Sequence, residues 1–372
     1  MVLATSCVLY SIFLLNSRGL GGDYLDEQYY IESGLKYVRC VLPAYLNPEH
    51  PPLGKYLIGA LSVLNPRVVP ALFGVLATIV LAISILRLRG SLLIAALAVA
   101  VLVSEVGFVK TFNYALLDSI AVGFASVATY FSMFYSKPAV SGLLWGAALA
   151  SKLSTAYPFL GILLFRLWSR RYRDALVEVL TAGLVYVVSF SGDLLCPSGS
   201  FSLFISHLLY VPTYMVRVHG LSVYKVVQGL SVALLKLGFW SSHPPLTVTV
   251  TPNATSEVAL DLGSASGLEV HFYFWLSGFL IPSSTALLSY ALLKFKSFSA
   301  EAKLVTIVTL LSYVNVLHGA VFWYLTLPAY YLALLAGLIL SRRTLLVLAV
   351  ANLASLLLVF ALGLTDTVVI NI

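Results

Sequence analysis

Asp26 and Glu27 stand side by side in a polar stretch that follows the first apolar run of the chain. Adjacent carboxylates repel, so one of them tends to keep its proton unless a cation intervenes. A carboxylate held near a hydroxyl can serve as general base in a group transfer. A hydrated loop can carry the same pair with no chemistry at all, but the setting argues for more. The stretch from Asp23 to Lys55 also holds Glu32 and Glu49, out of 15 acidic residues in the chain, and it interrupts a mostly apolar sequence. Carboxylates beside a bilayer are expensive unless hydrated, paired or working.

The same stretch ends in Asn47-Pro48-Glu49-His50-Pro51-Pro52-Leu53-Gly54-Lys55. Its prolines fix the backbone and lead it into an amphipathic helix, so that His50 and Lys55 are held in place, as binding a phosphate requires. A helix-entry turn with a snorkelling lysine is the plainer account of the same residues. Tyr24, Tyr29, Tyr30, Tyr37 and Tyr45 either stack on a sugar or, as is the default for most of them, form an interfacial aromatic belt.

These residues must be positioned by membrane helices. The chain has 372 residues, 60% hydrophobic and 10% charged, against roughly 25% charged in a soluble domain. The net charge of +7 comes from short Lys and Arg clusters between apolar runs, which suits loops at an anionic membrane face and not a nucleic-acid surface. A crossing helix needs about 20 mostly apolar residues. The expected spans are Val2–Asn16, Val68–Leu86, Leu92–Val109, Tyr114–Tyr135, Val140–Ala150, Thr155–Leu167, Ala175–Ser191, Phe272–Leu293, Leu304–Leu317, Ala320–Leu340 and Leu345–Leu364. The Val2–Asn16 run lacks a basic leader and a clear cleavage site, and is read as a retained span. The short spans on either side of Ser151-Lys152-Leu153-Ser154 read as a bent hairpin.

The reading is therefore an all-α integral membrane protein of about eleven transmembrane helices, a single polytopic domain over 1–372. Arg87 and Arg89, Arg166 to Arg173, Lys294 and Lys296, and Arg342 and Arg343 all fall on one side if the spans alternate, and that side is the cytoplasm. The first loop, 17–66, and a long segment, 194–270, then lie outside. Within the latter, Phe201–Val218 and Ser222–Phe239 suit interfacial helices, although a pair of extra spans would preserve the topology. Leu246–Leu262 reads as a small external β-hairpin, with a glycosylation sequon at Asn253-Ala254-Thr255. Of the three cysteines, Cys7 sits in an apolar run, while Cys40 and Cys196 both fall outside, where a disulfide between them can form. His207, His219, His243, His271 and His318 are scattered without ligand spacing, so no metal is expected.

An Asp-Glu pair after the first span, followed by His50-Pro51-Pro52-Leu53-Gly54-Lys55, resembles the protein O-mannosyltransferase family. That family belongs to the GT-C class of polyprenyl-phosphate-sugar glycosyltransferases. Further pieces agree in order: Arg67-Val68-Val69-Pro70-Ala71-Leu72-Phe73-Gly74, Leu116-Leu117-Asp118-Ser119, the stretch from Gly142 to Lys152, and Phe322 to Pro328. The likeness covers residues 20–160 well and the final third loosely. The family commonly has an arginine just before its Leu-Leu-Asp-Ser element, where this chain has Asn113, and no external β-trefoil is present.

The resemblance implies a GT-C-like bundle that moves a mannosyl or other sugar, with inversion, from a dolichyl or polyprenyl phosphate to a protein serine or threonine. Asp26 is implied as base, with Glu27 orienting acceptor or sugar. His50, Lys55, Arg67, Lys152 and Asp118 are implied at the donor phosphate and substrate, with Lys110 as a further cation. Asp118 and Glu105, near the outer ends of their spans, are also suited to ion pairs with Lys110 or Lys152. No cofactor beyond the lipid-linked donor is implied, the site faces outward at the cell membrane, and related enzymes often pair. A lipid- or glycan-directed transferase, like the aminoarabinose transferases, is the second reading. A transporter or flippase is the third, disfavoured because the acids gather in the first outer loop and no repeat is evident.

Overall fold

The computed structural model describes residues 25–62, 65–219, 223–231, 234, 237–241, 268–272, 278–318, 322–361 and 368–371. The expected Val2–Asn16 span, Cys7, Tyr24 and the Leu246–Leu262 hairpin lie outside them.

The described chain is a helical bundle. It opens with α1 (Leu25–Tyr37) and α2 (Leu53–Leu61), which carry the polar stretch. Then come α3 (Val68–Arg89), α4 (Leu92–Val103), α5 (Val106–Asn113), α6 (Leu117–Phe134), α7 (Pro138–Ser151), α8 (Ala156–Trp168) and α9 (Tyr172–Ser189). The segment after α9 follows as α10 (Gly192–Leu195), α11 (Phe201–His219) and α12 (Val223–Leu230), and the last third as α13 (Ser284–Leu293), α14 (Ala300–Ser312), α15 (Phe322–Ile339) and α16 (Arg342–Ala361). Val68–Arg89, Leu117–Phe134 and Ala300–Leu317 are each long and apolar enough to cross a bilayer, and α4 with α5 makes a fourth such unit bent by 69°. Helix α15 is the axis of the bundle: every residue from Leu325 to Leu338 is buried. Its Thr326 meets Thr111 of α5 and its Tyr331 meets Thr129 of α6 through side-chain hydrogen bonds of 2.5 and 2.9 Å. Such bonds hold helices together where lipid offers no hydrophobic drive.

Two expected spans are corrected. Leu92–Val109 is not straight: it breaks at Ser104, and Glu105 starts α5. Phe272–Leu293 is not one helix, because Leu268–Phe272 is a strand and the helix begins only at Ser284. One buried cluster explains both. Glu105 accepts from the backbone N–H groups of Gly278 and Leu280, and Asn352 of α16 accepts from Phe279 and Leu280. Pro282 has no N–H to offer. Side chains thus satisfy amides that a helix would have satisfied, which makes irregular backbone tolerable at depth.

The short hairpin is as expected, with α7 and α8 joined by a 3-10 turn at Leu153–Thr155. Its glycines have a physical reason. A Cβ on Gly142 would lie 1.8 Å from Thr181 Oγ1, and one on Gly146 would lie 2.6 Å from the Ala182 carbonyl, both on α9. Small residues there let α7 and α9 touch backbone to backbone. Strands β1 (Leu237–Ser241), β2 (Leu268–Phe272) and β3 (Val368–Asn371) form an antiparallel sheet in that order. The strand from the C-terminal end was not foreseen.

The helices give the bundle two chemically different ends. At one, Arg87 donates to Tyr130 and Tyr135, Arg89 to the Leu338 carbonyl, and Arg166 to the Ser132 carbonyl. Arg166, read as a loop charge, is instead buried in an ion pair with Glu178 at 3.1 Å. At the opposite ends of α3 and α6 lie Arg67 and Asp118.

Candidate functional site

Helix α1 places Asp26 and Glu27 in its first turn, where carboxylates suit the helix dipole. The two point to different surroundings. Glu27 is buried, and Arg67, which precedes α3, donates to it from Nε and Nη2, each at 2.7 Å. The Ala115 N–H also donates to Glu27 Oε1, at 2.8 Å. Arg67 keeps 30% of its side chain exposed and lies 5.3 Å over the Tyr114 ring. Asp26 is half-buried, and among the described residues it makes no hydrogen bond and no ion pair.

Asp118, in the first turn of α6, pairs with Lys152 at 2.5 Å; the side chains are 5% and 3% exposed. Lys152 caps α7 at the hairpin apex and sits 5.6 Å from the Tyr324 ring of α15. The expected ion pair is thus made with Lys152. Asp26 lies within electrostatic reach of Asp118, Tyr214 and Tyr324.

His50 and Lys55 meet this cluster through α1. The His50 ring packs edge-on against Tyr30 at 5.8 Å. Burial, then the carboxylates of Asp26, Asp118 and Glu49, raises the Tyr30 hydroxyl far above its ordinary range, so it is a proton donor at neutral pH. Lys55 is fully buried. Its ammonium donates to the Asn47 carbonyl, to the His50 carbonyl at 3.1 Å and to the Tyr37 hydroxyl at 3.4 Å. Burial pushes Lys55 down to about 7, against a pull upward from Glu49. With three acceptors around it, Lys55 holds the proline turn closed. The seat for this lysine depends on Gly34 and Gly59, where α1 crosses α2: a Cβ on Gly34 would stand 2.3 Å from the Lys55 carbonyl.

The structure therefore gathers Asp26, Glu27, Arg67, Asp118 and Lys152 at one end of the bundle, with His50 against its edge and Lys55 committed to the turn behind. Tyr45 is 70% exposed, as a belt residue should be, whereas Tyr30 and Tyr37 are buried and belong to the site and its turn. Sequence reading gave no role to Tyr114 or Tyr214, and met Tyr324 only within the Phe322 to Pro328 resemblance. Nothing in the local spacing of Tyr114 and Tyr214 marks them, because their neighbours come from distant helices. Among the described residues no three of the His, Cys, Asp and Glu side chains come together as a metal-ligand set.

The segment that carries α10 and α11 is tied onto this end. Cys40 and Cys196 form a disulfide. Asp193 and His207 reach the turn that Lys55 closes, through the Ala44 N–H and the Pro48 carbonyl.

No protein-family model matches the chain, and a comparison with curated proteins returns no match. Among solved structures, the chain is similar to ArnT from Cupriavidus metallidurans, in a crystal structure bound to undecaprenyl phosphate. The TM-score is 0.57 at 17% identity, over 97% of this chain and 62% of the other. This chain thus spans about three fifths of the length of that ArnT. The likeness is one of fold: an all-α, GT-C-like membrane bundle.

Proposed function

We propose that this chain is a membrane glycosyltransferase that takes a sugar from a polyprenyl-phosphate lipid and passes it to an acceptor hydroxyl. The observation that carries the reading is the contrast between Asp26 and its neighbours. Glu27 and Asp118 each have a cation, whereas Asp26 has none among the described residues, so its oxygens remain open to a hydroxyl proton. The fold shared with an ArnT bound to undecaprenyl phosphate supports the lipid-phosphate donor.

In this reading Asp26 is the general base. The acceptor oxygen loses its proton to Asp26 and attacks the anomeric carbon, and the bond to the lipid phosphate breaks on the opposite face, inverting the centre. The departing phosphate gathers negative charge and needs preorganised cations. Arg67 is the half-exposed cation of the cluster, and Glu27 holds its fork in one orientation. Lys152 adds positive charge beside Asp118. Lys55 is assigned to the turn and not to the phosphate. The site lies at the end of the bundle opposite the arginine ends, and the positive-inside rule supports an extracytoplasmic face for it. The disulfide between Cys40 and Cys196 agrees, since such bonds persist in oxidising compartments.

A mannosyl donor with a protein serine or threonine acceptor is the first reading, on the motifs around Asp26 and Lys55. A lipid acceptor is the second, favoured by the likeness to ArnT. Purified protein in liposomes, given labelled dolichyl-phosphate-mannose with a Ser/Thr-rich peptide and a lipid extract side by side, separates them. Label in the peptide supports the first and label only in lipid supports the second. Label in neither, across a panel of polyprenyl-phosphate sugars, removes the transferase reading.

A further inference from the structure

Asp193 and His207 form a buried unit outside the Asp26 cluster. Asp193 sits in α10, and its Oδ1 accepts the Ala44 N–H at 2.8 Å. Its Oδ2 lies 2.6 Å from His207 Nδ1, and His207 Nε2 lies 3.1 Å from the Pro48 carbonyl oxygen. Both side chains are 0% exposed. The Phe190 ring packs edge-on against the imidazole at 4.9 Å. A carboxylate and a carbonyl both accept, so the ring satisfies the two contacts only by donating from both nitrogens, as an imidazolium.

The position of this unit gives it a task. Tyr214 stands two helical turns beyond His207, on the same face of α11, with the buried Val211 between them. That face turns toward the site, because the Tyr214 phenol lies in electrostatic reach of Asp26 and Glu49. Pro212 removes one backbone bond between the two residues, a place where a helix bends. The other end of the grip, Pro48, adjoins Asn47 and lies two residues before His50, whose carbonyls hold Lys55.

We propose that Asp193 and His207 are positioning residues that seat α11 over the Asp26 site, with His207 held as an imidazolium between Asp193 and the Pro48 carbonyl. What they position rests on the transferase reading; the protonation of the ring does not. The titratable groups within electrostatic reach of Asp193 are Tyr37 of α1 and Tyr56 of α2. Burial, then the Asp193 carboxylate, pushes Tyr56 up to about 12, so its hydroxyl stays neutral beside the unit. A ring carrying one proton would set a nitrogen lone pair against an acceptor, either the Asp193 carboxylate or the Pro48 carbonyl.

The test uses the full chain in nanodiscs with ring-labelled ¹⁵N-histidine, the His207 signals being identified by their loss in His207→Gln. Both ring nitrogens should carry slowly exchanging protons at neutral pH; a ring with one protonated nitrogen overturns the imidazolium. In the transfer assay, Asp193→Asn and His207→Gln should raise the acceptor KM about tenfold, the scale of one charged hydrogen bond, with kcat changed much less. Wild-type KM in both variants, which itself requires a folded enzyme, overturns the positioning role. A wild type that transfers no sugar removes the transferase reading and with it the positioning role, while the spectrum still decides the imidazolium.

Discussion

Arg67 grips Glu27 with two hydrogen bonds of 2.7 Å, joining the start of α3 to the first turn of α1 across 40 residues of sequence. The pair leaves the two neighbouring carboxylates with different work. Glu27 is an anchor for a cation, and Asp26 beside it is available as a base.

If Glu27 acts through Arg67, the two residues form one unit. Arg67→Ala should lower kcat by about a hundredfold or more, the scale of a lost oxyanion donor. Glu27→Gln should cost less, and the double variant should be little worse than Arg67→Ala alone. Losses that multiply would show that Glu27 meets substrate independently.

The Asp118–Lys152 pair is almost fully buried. Lys152→Met should therefore destabilise the chain by roughly 3 to 5 kcal/mol, the usual effect of leaving a buried charge alone. Asp118→Asn with Lys152→Met should recover much of that, measured as the thermal midpoint in one detergent. A double variant as unstable as the single would argue that Lys152 is held by more than Asp118.

Lys55 gives a pH signature. Its folded value is lowered to about 7, below the ordinary lysine value of about 10.4. Between those values the unfolded chain binds a proton that the folded chain does not, so this group makes stability rise with pH across that window. Lys55→Met should flatten the rise in the thermal midpoint between pH 7 and pH 10. An unchanged slope would place the lysine in water.

How much of this was legible in the sequence depended on distance along the chain. Asp26, Glu27 and the His50-to-Lys55 turn are local patterns, and the structure brings them to one end of the bundle, as their order suggested. The role of Lys55 was not legible, because its three acceptors are set by the closure of the turn and not by its type. The seat of His207 was invisible for a related reason: Asp193 is close in sequence, but Pro48 and Ala44 come from the turn between α1 and α2. The expected Phe272–Leu293 span failed because hydropathy does not show that Glu105 and Asn352 take the amides of Gly278 to Leu280. For Tyr30 and Tyr37 both a sugar-stacking role and the interfacial belt were open, since nothing local distinguishes a buried tyrosine from one at a headgroup.

The disulfide joins residues 156 positions apart. Cys40→Ser should lower stability by about 2 to 4 kcal/mol, as for disulfides closing long loops. It should also make Cys196 alkylatable and loosen the outer segment, seen as faster proteolysis near α10. Equal proteolysis with and without the bond would mean that the Asp193 and His207 contacts hold the segment alone.

The central claim is that Asp26 takes the acceptor proton. The most direct measurement is sugar transfer by Asp26→Asn in liposomes, beside binding of the lipid-phosphate donor to the same preparation. Loss of transfer by a factor of about a hundred to ten thousand, the range for a general base, with donor binding unchanged, is the predicted result. Transfer that survives in Asp26→Asn would contradict the account and remove Asp26 as the base.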